Sequence, residues 1–69
     1  MMNNIYKVIE IIGSSEKSWE DAAKKAVETA AKTLSELRIA EVKELDMRVE
    51  DGKVVEYRTK LRVSFKYKP

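Results

Sequence analysis

Val55-Glu56-Tyr57-Arg58-Thr59-Lys60-Leu61-Arg62-Val63-Ser64-Phe65-Lys66-Tyr67 alternates without a break. Val55, Tyr57, Thr59, Leu61, Val63, Phe65 and Tyr67 are apolar or strand-favouring, and the residues between them are polar, most of them charged. A period of two is the pattern of a strand with one buried face and one polar face. Thirteen residues at about 3.3 Å each span on the order of 40 Å. That is very long for a chain of 69 residues, and what covers the polar face becomes the central question.

Working outward from this strand, Asp51-Gly52 is a tight hairpin signal. It joins the last strand to one at Ile39–Glu50. In that segment Leu45, Met47 and Val49 alternate, whereas Ala40 and Val42 fall on the other parity. The apolar face changes between Val42 and Leu45, which predicts a bulge or a strand serving two different neighbours. Near the other end, Ile5–Ile12 is apolar and β-branched, broken by Lys7 and Glu10. It reads as a first strand, partly covered on both faces, with a turn at Gly13-Ser14-Ser15.

Between these strands lies a helix. Ser18 is a good N-cap, Asp21 sits three residues on, and Glu20 and Asp21 suit the positive end of the helix dipole. Trp19, Ala22, Ala23, Ala26, Val27, Ala30, Ala31, Leu34 and Leu37 follow helical spacing. A stripe made mostly of alanine permits close approach to a sheet that curls around it. Lys24, Lys25, Glu28, Lys32 and Glu36 form the solvated face, with Glu28 and Lys32 spaced as an i, i+4 pair. The fold expected is α+β, in the order β-α-β-β. Its three-stranded antiparallel sheet, with strand order 1-3-2, wraps one helix in a single domain over residues 1–69.

Composition restricts function. With no cysteine and no histidine, disulfides, thiolate zinc sites and the commonest general base are excluded. No nucleophile motif is present, and Ser14-Ser15 lacks the Lys and second Gly of a phosphate loop. The expectation is a protein that is not an enzyme. A core of this size rarely supplies more than about 3–5 kcal/mol, so oligomerisation is the expected staple. Net charge is +2 although 38% of residues are charged, so the bulk balance does not point to nucleic acid. From Tyr57 onward, Arg58, Lys60, Arg62, Lys66 and Lys68 are basic with no acid among them. Sheet-based RNA binders interleave aromatics with such residues, and here Tyr57, Phe65 and Tyr67 lie on the opposite parity. No stretch reaches the roughly 20 apolar residues of a membrane span. No secretory hydrophobic segment is seen at the amino terminus, and the expected location is the cytoplasm.

Two candidate sites emerge from the residues. Glu44 and Asp46, two apart on a strand, project from one face, with Glu50 further along on the same parity. Such oxygen ligands suit Ca²⁺ or Mg²⁺ if other oxygens complete the shell. The competing reading pairs them with Arg58, Lys60 or Arg62 across the hairpin. Trp19 could stack a planar ligand, but its place on the apolar stripe reads as a core or interface anchor.

The chain resembles the dodecins, small proteins with a strand–helix–strand–strand fold that assemble as hollow dodecamers. The resemblance lies in Tyr6–Ser15, Ser18-Trp19-Glu20, Arg38–Val42, Glu56-Tyr57-Arg58-Thr59 and Val63-Ser64-Phe65. Flavin-binding dodecins place a Trp where this chain has Ile39, and a Gln where it has Arg58. An aliphatic side chain offers no π-face. An Arg could still stack on a planar ring or hold a phosphate. Arg38-Ile39-Ala40, Leu45-Asp46-Met47 and Tyr57–Leu61 look closest to a branch without that Trp, in which calcium binding is associated with at least one member. The resemblance implies a homo-oligomeric shell that binds or stores a small ligand or Ca²⁺. The alternatives are a flavin-binding dodecin (riboflavin, FMN or FAD) with an altered site, and a structural or partner-binding shell.

Overall fold

Thr59, Leu61 and Val63 are the largest side chains wholly buried in the computed structural model, which describes residues 5–67. They are alternate residues of one strand, as the period of two requires. That strand, β3 (Lys53–Lys66), runs down the middle of a three-stranded sheet. β1 (Tyr6–Ser15) pairs antiparallel on one side of it and β2 (Leu37–Glu50) antiparallel on the other. The order 1-3-2 follows from the chain. Helix α1 (Trp19–Ala30) carries it from β1 to β2 in the same direction, and the hairpin returns β3 between them. Lys68 lies outside the described residues.

The hairpin turns at Asp51 and Gly52, with φ of 52° and 74°. Positive φ at both central residues is what a type I′ turn demands, and Asp-Gly supplies it at low cost. The predicted change of face in β2 is a bulge. The pairing with β3 slips between Val42 and Glu44, leaving Lys43 as the extra residue. Val42 opposes Leu61 and Leu45 opposes Thr59, so both apolar sets of β2 fall on the helix side.

Two boundaries differ from expectation. β1 does not turn at Gly13-Ser14-Ser15 but continues through it, with Gly13 opposite Thr59 and Ser15 opposite Tyr57. Gly13 is there because the helix passes over it. A Cβ at that position would stand 2.3 Å from the Ala22 carbonyl oxygen and 2.8 Å from the Ala26 Cβ. A glycine inside a strand commonly marks such an approach. The helix, in turn, ends at Ala30 and does not reach Leu34 or Leu37. Lys32 and Thr33 donate to carbonyls three residues back, tightening the last turn. Glu36 then takes φ 55° and redirects the chain, so that Leu37 opens β2. Lys32 therefore stands beyond the helix, and the helical ion pair is Asp21–Lys25 at 3.0 Å in place of Glu28–Lys32.

The start of α1 is tied down at four points. Ser18 Oγ accepts from the Asp21 amide at 3.0 Å, and the half-buried Asp21 carboxylate accepts from the buried Ser15 hydroxyl at 2.6 Å. The Thr59 hydroxyl donates to the Trp19 carbonyl at 2.9 Å. Trp19 Nε1 donates to the Asp46 carbonyl at 2.9 Å, with its ring edge-on to Tyr57 at 5.1 Å. Trp19 is thus the anchor of the helix on the β2–β3 hairpin.

The Ser15 hydrogen bond, followed by Lys25, holds the Asp21 carboxyl below its ordinary value of 3.8. A carboxylate whose pKa is lower folded than unfolded stabilises the fold above its unfolded value. That contribution is lost as pH falls through the folded value. Tm is therefore expected to decline below about pH 4, and Asp21→Asn to flatten that decline. Thermal melts from pH 7 to pH 3 check this, and parallel curves for both proteins would reject the role given to Asp21.

Candidate functional site

Because β3 is central, its polar residues form the middle of the outer face, and those from Arg58 to Ser64 have a cross-strand neighbour on both sides. Arg58 lies between Ser14 and Asp46, Lys60 between Ile12 and Glu44, and Arg62 between Glu10 and Glu41. The bulge at Lys43 keeps Glu41 and Glu44 on this face together. Each basic residue meets an acid. Arg58 holds Asp46 through two bonds, Nε to Oδ1 at 2.7 Å and a second terminal nitrogen to Oδ2 at 2.9 Å. Lys60 lies 3.6 Å from Glu44, and Arg62 lies 3.5 Å from Glu10. Further along, Arg48 bonds Glu56 at 2.9 Å and also Glu50.

The fork-on-fork geometry of Arg58 and Asp46 is the strongest of these contacts. The hydrogen bond from Arg58 keeps the Asp46 carboxyl below its ordinary range, and the same bond raises the Arg58 guanidinium further. Both side chains remain about half exposed, so water screens the pair and its contribution to stability is small. Its effect is to fix where the guanidinium lies.

The structure thus brings Glu44 and Asp46 onto one face, as their spacing requires, and places a cation of β3 against each. Oxygen donors of this type fit a hard cation. Two per chain fall short of the six to eight ligands Ca²⁺ takes. Among the described residues, no group of three or more acids is arranged to hold a metal ion within one chain.

Ile39 stands at the other end of the outer face, 66% exposed, opposite Ser64. Val8 flanks Ser64 on the other side and is also exposed. Tyr6, Arg38, Ile39 and Ser64 line an open hollow of about 370 Å³. Glu36 holds the Arg38 guanidinium at 2.9 Å. Arg58 is not part of this hollow: it lies six residues from Ser64 along β3, about 20 Å away. A single chain therefore separates Ile39 from Arg58.

Sequence reasoning did not single out Tyr6, which provides the one aromatic ring of this hollow. The signal was the mixed parity of β1. Tyr6, Val8 and Ile12 share the outer face while Ile9 and Ile11 pair opposite the buried Val63 and Leu61.

Comparison with known proteins agrees with this architecture. The family model described as Dodecin matches residues 5–68. The calcium dodecin of Mycobacterium tuberculosis is 48% identical over 66 residues, covering 96% of this chain and 93% of that protein. The dodecin of Thermus thermophilus is 38% identical over 65 residues, covering 94% of each. The crystal structure of the M. tuberculosis calcium dodecin, a calcium-chelating antigen with its own calcium-binding site, superposes with a TM-score of 0.84. It is 52% identical, with 94% of this chain and 93% of that one covered.

Proposed function

The chain belongs to the dodecin family, and from that premise we propose that it is a non-enzymatic, cytoplasmic, homo-oligomeric shell, a dodecamer, that binds and stores a small ligand or cation. Calcium is the leading ligand, and flavin is not held in the usual stacked manner. The observation that carries this reading is Ile39. At the position where flavin-binding dodecins present an indole, an exposed aliphatic side chain looks onto an open hollow. A stacked base or ring contributes on the order of 1–3 kcal/mol, and Ile39 has no π-face to supply it.

Support for a cation comes from the similarity to the calcium dodecin and from the acidic row of β2. Glu44 and Asp46 are proposed as ligands. Ca²⁺ would take them from Lys60 and Arg58, with backbone oxygens, water or a neighbouring subunit completing the shell. A second reading, a flavin binder with an altered site, is favoured by one observation: Tyr6 puts an aromatic ring beside Ile39.

Calorimetric titration with Ca²⁺ is expected to give heat with the native chain. Glu44→Gln and Asp46→Asn are each expected to weaken binding on the order of tenfold, because affinity follows ligand charge. No heat, or equal binding by both variants and the native chain, rejects the cation site. Riboflavin fluorescence is expected to stay unchanged on addition of the protein, and quenching would select the second reading. Silence in both titrations would leave a structural or partner-binding shell.

A further inference from the structure

The outer face sets its acids and bases against one another. Arg58 is held by Asp46 through two bonds of 2.7 and 2.9 Å, and the Lys60 ammonium lies 3.6 Å from Glu44. These are the same two acids proposed above to take Ca²⁺. An ion on them has to displace a guanidinium and an ammonium, and both released cations then need a partner.

Among the described residues, no acid of the three strands is left to receive them. Arg58 and Lys60 are flanked on β1 by Ser14 and Ile12, neither of them acidic. The other strand acids already have bases: Glu56 and Glu50 share Arg48, Glu10 lies 3.5 Å from Arg62, and Glu41 lies 3.8 Å from Lys43. Charge balance then decides the outcome. Ca²⁺ neutralises the carboxylates of Glu44 and Asp46 and leaves the two positive charges of Arg58 and Lys60 side by side. They stand two residues apart on one face of β3, about 7 Å along the strand. Both are open to solvent, at 42% and 40% exposure. Like charges so placed repel each other and attract a counter-ion with two negative charges. A guanidinium fork matches two oxygens of a tetrahedral oxyanion, and a lysine adds a point charge. The exposed Ser14, across the ladder from Arg58, supplies a hydroxyl donor.

We propose that Arg58 and Lys60 form a latent anion site. When Ca²⁺ occupies Glu44 and Asp46, the two bases bind a tetrahedral dianion, a sulfate or a phosphate monoester, so that cation and anion are taken up together. The proposal rests on the Ca²⁺ reading of Glu44 and Asp46 and adds a second ligand coupled to the first. Such coupling is reciprocal: each ion tightens the other by the same factor. Without Ca²⁺ the two acids hold the two bases, and an added anion meets no free charge there.

Calorimetry on the native chain tests this. Ca²⁺ is titrated at one ionic strength in sodium chloride, in sodium sulfate and in glycerol phosphate. Binding is expected to tighten roughly tenfold in the dianions, a coupling within the usual range. Pairing of these anions with Ca²⁺ in solution acts in the opposite direction, so it cannot imitate the effect. Sulfate is expected to bind the Ca²⁺-loaded protein and to give no heat with the metal-free protein. Arg58→Gln is expected to bind Ca²⁺ more tightly in chloride, having no guanidinium to displace, and to lose most of the dianion effect. Arg62→Gln, whose partner Glu10 is not a proposed ligand, is expected to keep it. A response to glycerol phosphate without one to sulfate assigns the site to a phosphate ester, and the reverse assigns it to sulfate. Equal Ca²⁺ affinity in all three salts overturns the anion site while leaving the cation site in place. No heat with Ca²⁺ in any salt overturns both.

Discussion

Replacing Gly13 with alanine is expected to remove most of the stability of the fold. The added Cβ would sit 2.3 Å from a backbone oxygen of the helix and 2.8 Å from Ala26, and neither can rotate away. Either the helix lifts from β1 or the strand bends, and both movements open the contact over Thr59, Leu61 and Val63. Overpacking that moves backbone costs about 3 kcal/mol, sometimes more. A core of this size has about 3–5 kcal/mol in total. The expected fall in Tm is roughly 12–24 °C, measured by circular dichroism melts. Gly52→Ala is the internal control. Nothing lies within 4 Å of its Cβ position, and its φ of 74° is the only obstacle. That substitution should cost about 1–2 kcal/mol. Equal losses at the two glycines would refute the close-approach account of Gly13.

Converting the outer face toward the flavin-binding pattern should have the largest effect on ligand binding. In Ile39→Trp combined with Arg58→Gln, the first change installs an indole on the hollow beside Tyr6. The second replaces a guanidinium clamped by Asp46 with a neutral amide donor and acceptor. Ile39 is largely exposed, so the larger ring does not have to enter the core. One stacked contact of about 1–3 kcal/mol corresponds to a gain of roughly five- to 150-fold in affinity. Titration of riboflavin is expected to show quenching with the double variant and none with the native chain. The single Arg58→Gln change should produce little quenching, because it supplies no ring. If the double variant leaves fluorescence unchanged, Ile39 is not where the ring contact is made, and the reading of the hollow fails with it.

Several features were legible because they depend on local rules. The alternation from Val55 to Tyr67 placed the buried residues on the correct parity. The Asp51-Gly52 turn and the Ser18 cap were plain from residue type. The parity break in β2 showed that its apolar face changes, by a bulge or by serving two neighbours, and the slip between Val42 and Glu44 makes it a bulge. Other features were not legible. Leu34 and Leu37 continue the spacing of the helical stripe, so periodicity extended the helix past its real end. Nothing in residue type announces a glutamate at positive φ, as found at Glu36. Gly13 followed by two serines has the composition of a turn. Its role as a gap beneath the helix backbone exists only once α1 lies across β1.

The candidate site divides in the same way. Residue spacing was enough to put Glu44 and Asp46 on one strand face, but not opposite the basic row: the two-residue turn pairs Glu50 with Lys53 and Val49 with Val54, and that register continued would set Asp46 against Tyr57 and Glu44 against Thr59. The irregularity between Arg48 and Val49 shifts the pairing by one residue and brings Asp46 to Arg58 and Glu44 to Lys60, while the Lys43 bulge shifts it back and sets Glu41 beside Arg62. Ile39 and Arg58 could be marked from the sequence as the two altered positions, but not as positions about 20 Å apart. By itself the sequence determined the element order, the buried parity of β3 and the absence of His and Cys chemistry, because these follow from side-chain type and the fixed period of a strand. Only the tertiary structure decided that α1 covers β1 and β3 while leaving β2 open, and that the hairpin extends past both. The first outcome depends on how closely two backbones can approach at Gly13 and Ala22, a steric property of the packed pair that neither segment carries alone, and the second on the register that ends β1 opposite Tyr57.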